Sequence, residues 1–75
     1  MFNSFARAAR KRRAERYLKL HPEDEAAVEP IMLALDQLAP RSARDVAEML
    51  AGRCFTDVEW LKVAPRWERA WNAIR

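Results

Sequence analysis

Apolar residues recur three or four positions apart throughout this chain, and no segment alternates apolar and polar residues for long, so the expectation is helices without strands. The first helix is expected from Asn3 or Ser4, either of which can cap it, to Leu20, through a stretch rich in good helix formers. Its apolar positions Phe2, Phe5, Ala6, Ala9, Tyr17 and Leu20 fall near one face. Arg12, Arg13 and Arg16 interrupt that face, which predicts a helix docked at its ends and wet at its centre. His21-Pro22 stops it, because the residue before a proline avoids the α region. Pro22 suits the start of a second helix, and Glu23, Asp24 and Glu25 follow as first-turn acids that complement the helix dipole. Pro30 is expected to kink or restart this helix. Val28, Ile31, Leu35 and Leu38 make a core-facing stripe that ends at Pro40.

Two capping signals follow. Ser42-Ala43-Arg44-Asp45 has the spacing of a capping box, with Asp in place of Glu or Gln. The helix it opens points Val46, Met49 and Leu50 inward, and Gly52 sits where a left-handed C-cap is wanted. Thr56-Asp57-Val58-Glu59 repeats the spacing and opens a short helix to about Val63, with Val58 and Leu61 inward. Ala64-Pro65 is expected to close it and to open a last helix with Trp67, Trp71 and Ile74 at i, i+4, i+7. The fold class is therefore all-α, a small bundle of four to five short helices, with a basic helical arm over 1–20 and a compact body over 21–75.

Composition narrows the chemistry. A chain of 75 residues has little core to give up to a substrate cavity. One cysteine rules out an internal disulfide and any CxxC site, and one histidine and one glycine leave no metal cluster or Gly-rich phosphate loop. No enzyme, cofactor, metal or small-molecule substrate is expected. His21 reads as structural and Cys54 as a small hydrophobe in the turn before Phe55. Glu23/Glu25 and Asp57/Glu59 read as dipole partners, not as an acid/base dyad. No apolar run reaches the roughly 18–20 residues of a membrane span, and the expected compartment is the cytoplasm.

The charge changes the picture most. Residues 1–20 carry Arg7, Arg10, Lys11, Arg12, Arg13, Arg16 and Lys19 against Glu15, a net +6, while residues 21–75 carry seven cations and ten acids, a net −3. A basic arm on a mildly acidic body points to nucleic acid or an acidic protein surface as partner. The candidate contact residues are Arg7, Arg10, Lys11, Arg12, Arg13 and Arg16 for phosphates, with Tyr17, Phe2 or Phe5 to stack or wedge. Of the three tryptophans, Trp67 and Trp71 suit the core, whereas Trp60 falls off the Val58/Leu61 stripe and is a candidate partner anchor beside Phe2 and Phe5.

Two capped helices in succession resemble the helix-turn-helix unit over residues 31–75. Arg44-Asp45-Val46-Ala47-Glu48-Met49-Leu50-Ala51-Gly52 is similar to its first half, with Ala47 at the close approach and Gly52 at the turn. Ser42-Ala43-Arg44-Asp45-Val46-Ala47 is also similar to the second helix of winged-helix regulators. The family implies DNA binding and transcription regulation. This chain departs from the pattern in three ways: one extra turn residue, Asp57 and Glu59 at the base-reading end of the second helix, and no strands for a wing up to Arg75. The expected role is thus non-catalytic regulation of a nucleic-acid or nucleoprotein complex through the basic helix, by a monomer or weak dimer. The alternative is a small inhibitor or adaptor that docks Phe2, Phe5 and the arginines into an acidic groove. A targeting segment over Met1–Leu20 is a third reading, and the weak apolar face argues against a membrane surface.

Overall fold

The computed structural model describes residues 4–75, so Asn3 as a cap and Phe2 as an anchor lie outside the described residues. Helix α1 (Ser4–Leu20) leads through a single 3-10 turn at Pro22–Asp24 into α2 (Glu25–Gln37), followed by α3 (Ala43–Ala51) and α4 (Asp57–Ile74). No strand occurs among the described residues, and the all-α bundle is as expected. Helices α2 and α4 pack together, with α1 and α3 each touching both of them and not each other. The core gathers Ala14 and Tyr17 of α1, Val28 and Ile31 of α2, Val46 of α3, and Trp71 and Ile74 of α4.

The local signals behave as their chemistry requires. Ser42 Oγ accepts from the Asp45 N–H at 3.1 Å, and Thr56 and Glu59 close a reciprocal box at 3.1 and 2.9 Å. Each such cap is worth about 1 kcal/mol. Gly52 adopts φ +72° and donates its N–H to the Glu48 carbonyl at 2.9 Å, ending α3. Arg44 then braces the turn, donating to Glu48, Asp57 and the Phe55 carbonyl, while Glu48 accepts from the Phe55 N–H at 2.7 Å.

Several expectations are corrected. Pro30 and Pro65 both lie inside unbroken helices, so the expected break at Ala64-Pro65 does not occur, and the helix from Asp57 runs past Val63 to Ile74. The carbonyls these prolines leave unpaired belong to Ala26 and Leu61, both exposed, where water can serve them. A continuous α4 resets the buried stripe to Trp60, Ala64, Trp67, Trp71 and Ile74, one i, i+4, i+7, i+11, i+14 seam. Val58 and Leu61, expected inward, therefore point out at 67% and 69% exposure. Leu38, Met49 and Leu50 also face outward, contrary to expectation, whereas Val28, Ile31 and Val46 are buried. The Cα framework spans 37 × 27 × 15 Å, and its thin dimension holds two packed helices, a Cα cylinder about 4.6 Å wide plus an interaxial distance of about 8–10 Å. A slab so thin has no further layer to cover these apolar side chains. Cys54 is exposed instead of packed.

Helix α1 keeps Tyr17 on its buried face as expected, but docks at its centre and not at its ends. Its ends are exposed, at Phe5 and Leu20, and its centre is docked through Ala14 and Tyr17. The reason is that arginines line the docked face. Arg10 donates to Asp36 of α2 at 2.7 Å, and the Arg13 Nε–H donates to the Ile74 carbonyl at the end of α4 at 2.9 Å.

Candidate functional site

Docking sorts the cations of α1 into two sets. Arg10, Arg13 and Tyr17 share the packed face, one helical turn apart from each other. Arg10 and Arg7 converge on Asp36, at 2.7 and 3.5 Å, and the Arg10 hydrogen bond leads in holding that carboxyl below its usual range. Only 16% of the Arg10 side chain remains exposed. Arg13 caps the final turn of α4, where a cation complements the helix dipole. Arg10 and Arg13 are thus structural, a correction to their expected place among the phosphate contacts.

Tyr17 is corrected in the same way. It is buried, and its hydroxyl donates to Asp24 at 2.5 Å, so its ring is not free to stack or wedge. Asp24, expected as an exposed first-turn acid, is instead fully buried. Its Oδ2 accepts from Tyr17 and from Arg69 at 3.1 Å, while Oδ1 faces Arg66 at 3.3 Å without hydrogen-bond geometry. Burial pushes the Asp24 carboxyl up, but the Tyr17 hydroxyl and the two guanidinium groups outweigh it and hold the carboxyl below its usual range. Burial, and then the Asp24 carboxylate, push the Tyr17 phenol up. His21 packs against the Tyr17 ring with centroids 4.8 Å apart. His21, Glu23 and Asp24 bring donor atoms within 4.8 Å of one another. Asp24 is already neutralised by two arginines, so a dication there would meet them at close range, and the group does not suit a metal.

The other face of α1 is different. Among the described residues, Lys11, Arg12, Arg16 and Lys19 enter no ion pair. Phe5, Arg12, Arg16 and Lys19 stand at i, i+7, i+11 and i+14, which places them on one stripe, with Lys11 beside it. Arg12, Arg16 and Lys19 surround a shallow hollow of about 220 Å³ with Glu15 as its one acid. Phe5, 90% exposed, stands at the N-terminal end of the stripe. Lys19 was missed as a site residue, although its spacing from Arg12 and Arg16 is the signal that finds it.

The α3–turn–α4 unit offers no comparable surface. Asp57 at the start of α4 leaves 91% of its side chain in solvent, paired to Arg44 at 3.0 Å. Glu59 is held down to about 2 by Arg53 and by the Thr56 backbone. Trp60 is half-buried and packs on the core, which occupies much of the surface expected to anchor a partner. No helix among the described residues is long and apolar enough to cross a membrane. No family model matches this chain, and no curated protein or solved structure shows a significant match to it.

Proposed function

We propose that this protein is a non-catalytic regulatory binding protein of the cytoplasm that engages nucleic acid, or a nucleoprotein complex such as a transcription assembly, through the solvent face of α1. The observation that carries this reading is the sorting of charge on α1. Arg10 and Arg13 are consumed by the fold, while Lys11, Arg12, Arg16 and Lys19 enter no ion pair among the described residues, and Glu15 is the one acid in the hollow that the last three surround. Four free cations on a rigid helix neutralise phosphates without reading bases, so binding is salt-sensitive and tolerant of sequence. In this reading the α3–turn–α4 unit is a helix-turn-helix-like scaffold and not the reader, because acids and apolar residues occupy the start of α4.

Anisotropy of a labelled duplex at about 0.1 M salt tests the reading. The triple variant R12A/R16A/K19A loses binding, and the wild-type affinity falls with salt at a slope of about −2.7 to −3.6, as expected for three to four phosphate contacts. Unchanged binding by that variant, with its fold intact, refutes the proposal. A second reading is favoured by Phe5, whose exposed ring lies on the same stripe: an acidic, grooved protein surface would take both the ring and the cations. Phe5→Ala separates the two, because it weakens a protein partner strongly and a phosphate backbone hardly at all.

A further inference from the structure

Helices α2 and α3 diverge over a groove of about 490 Å³ that the reading above does not use. Leu33 of α2 and Leu38 just past its end face Met49 and Leu50 of α3 across it, with Val46 on the floor and Glu29 at the edge. The four outer side chains are 57%, 59%, 45% and 62% exposed. Together they leave on the order of 400 Å² of apolar surface in water, the size of the largest patch on an ordinary monomer, which is often a functional one.

Charge chooses the occupant. Two such patches placed face to face bury about 800 Å², a single helix laid in the groove buries no more, and a second copy would bring a like acidic rim with it. Among the described residues Glu25, Glu29 and Asp45 enter no ion pair. Glu29 and Glu25 stand one and two turns before Leu33, and Asp45, whose Oδ2 accepts from the Arg41 N–H at 3.0 Å, stands one turn before Met49, so each lip of the groove carries an acid outside any ion pair. Arg53, beyond the end of α3, is held by Glu59 at 2.9 Å. An apolar trough between two acidic lips matches one object: an amphipathic helix with apolar anchors at i, i+4, i+7 and lysine or arginine on its flanks.

We propose that the α2/α3 groove docks a cationic amphipathic helix of a partner protein, with its most basic end beside Glu25 and Glu29. Because α1 and α3 do not touch, the groove and the cationic stripe of α1 can be occupied together. The proposal does not depend on what α1 binds.

The test uses the whole chain and two labelled peptides of about 18 residues, long enough to be helical. Both carry leucines at i, i+4, i+7 and i+11, one flanked by lysine and arginine and its twin by glutamate. The cationic peptide binds by anisotropy and shifts the Met49 methyl resonance, while the methyl of Ala14, buried on α1 away from the groove, holds still. The glutamate twin leaves Met49 unmoved, even where it is drawn to α1. L33S/L50S, both at exposed positions, keeps its helical circular dichroism and weakens the cationic peptide by about tenfold or more. E25K/E29K shifts the preference toward the glutamate twin. R12A/R16A/K19A leaves the cationic peptide bound, so failure of the α1 reading is seen separately. Absence of binding, binding that leaves Met49 unmoved, or affinity indifferent to L33S/L50S overturns the proposal. A concentration-dependent dimer of the free protein, abolished by L33S/L50S, also overturns it and assigns the groove to a second copy.

Discussion

Removing one oxygen atom from Tyr17 separates a structural tyrosine from a nucleic-acid-stacking one. In Tyr17→Phe the ring still fills its place against Ala14, Ile74 and Trp71, but the hydroxyl that donates to Asp24 at 2.5 Å is gone. Asp24 is fully buried and has one oxygen already without a hydrogen bond, so it cannot turn to water for a replacement. A hydrogen bond to a charged group contributes about 1.5–3 kcal/mol, and here the loss falls on a carboxylate that stays buried. For a domain this small, 2 kcal/mol lowers the melting temperature by about 8–16 °C. In urea, with a slope near 1 kcal/mol/M, it moves the midpoint by about 2 M. The assay is urea unfolding followed by circular dichroism, with Asp24→Asn and the double variant completing a cycle. The two changes couple by about 1–2 kcal/mol, because both act on one network. A single-variant loss under about 0.5 kcal/mol, or strict additivity in the cycle, refutes the buried-network account. Affinity for labelled duplex stays at the wild-type level in folded Tyr17→Phe; a tenfold loss there instead returns Tyr17 to the binding surface.

Other consequences follow from the same contacts. The carboxyls of Asp24, Asp36 and Glu59 titrate lower in the folded protein than in the unfolded chain, Glu59 at about 2 against an ordinary 4.5. Depressed acids stabilise the fold fully above their unfolded pKa and lose that contribution as pH falls through the folded one, so thermal melts drop between about pH 4.5 and 2. A flat profile over that window contradicts the pairing. Arg10→Ala costs about 1–2 kcal/mol in denaturant unfolding, whereas Arg12→Ala stays within about 0.5 kcal/mol, because only the former is half-buried on a carboxylate. Pro65→Ala restores a missing helical N–H and raises stability by about 1–3 kcal/mol, read as a higher midpoint in urea.

What the sequence made legible was what depends on near neighbours. The Ser42 and Thr56 caps, Gly52 at the end of α3 and the buried Ile31 and Val46 all follow from spacings of three or four residues. The errors arose where distant partners decide. Arginine on α1 reads as solvent-facing, yet Arg10 meets Asp36 across 26 positions and Arg13 meets Ile74 across 61. Those contacts set the helix phase and so determine which cations are free. Asp24 is one of three successive acids, and nothing local distinguishes the one that Arg66 and Arg69 will enclose. Pro65 looks like a boundary until the Trp60–Ile74 seam is known to need an unbroken helix. The basic character of the candidate site was visible from charge alone. Its membership, with Arg10, Arg13 and Tyr17 removed and Lys19 added, required the fold.

The bond from Arg13 to the Ile74 carbonyl also bears on the order of events during biosynthesis. The ribosome makes α1 before α4, yet one of the docking partners of α1 is the final turn of α4. Until α4 has emerged, the early segment has no complete surface on which to settle, and its arginines travel without their structural partners. Folding of this bundle is therefore expected to wait for α4, in a closure that secures α1 by a contact 61 positions away along the chain.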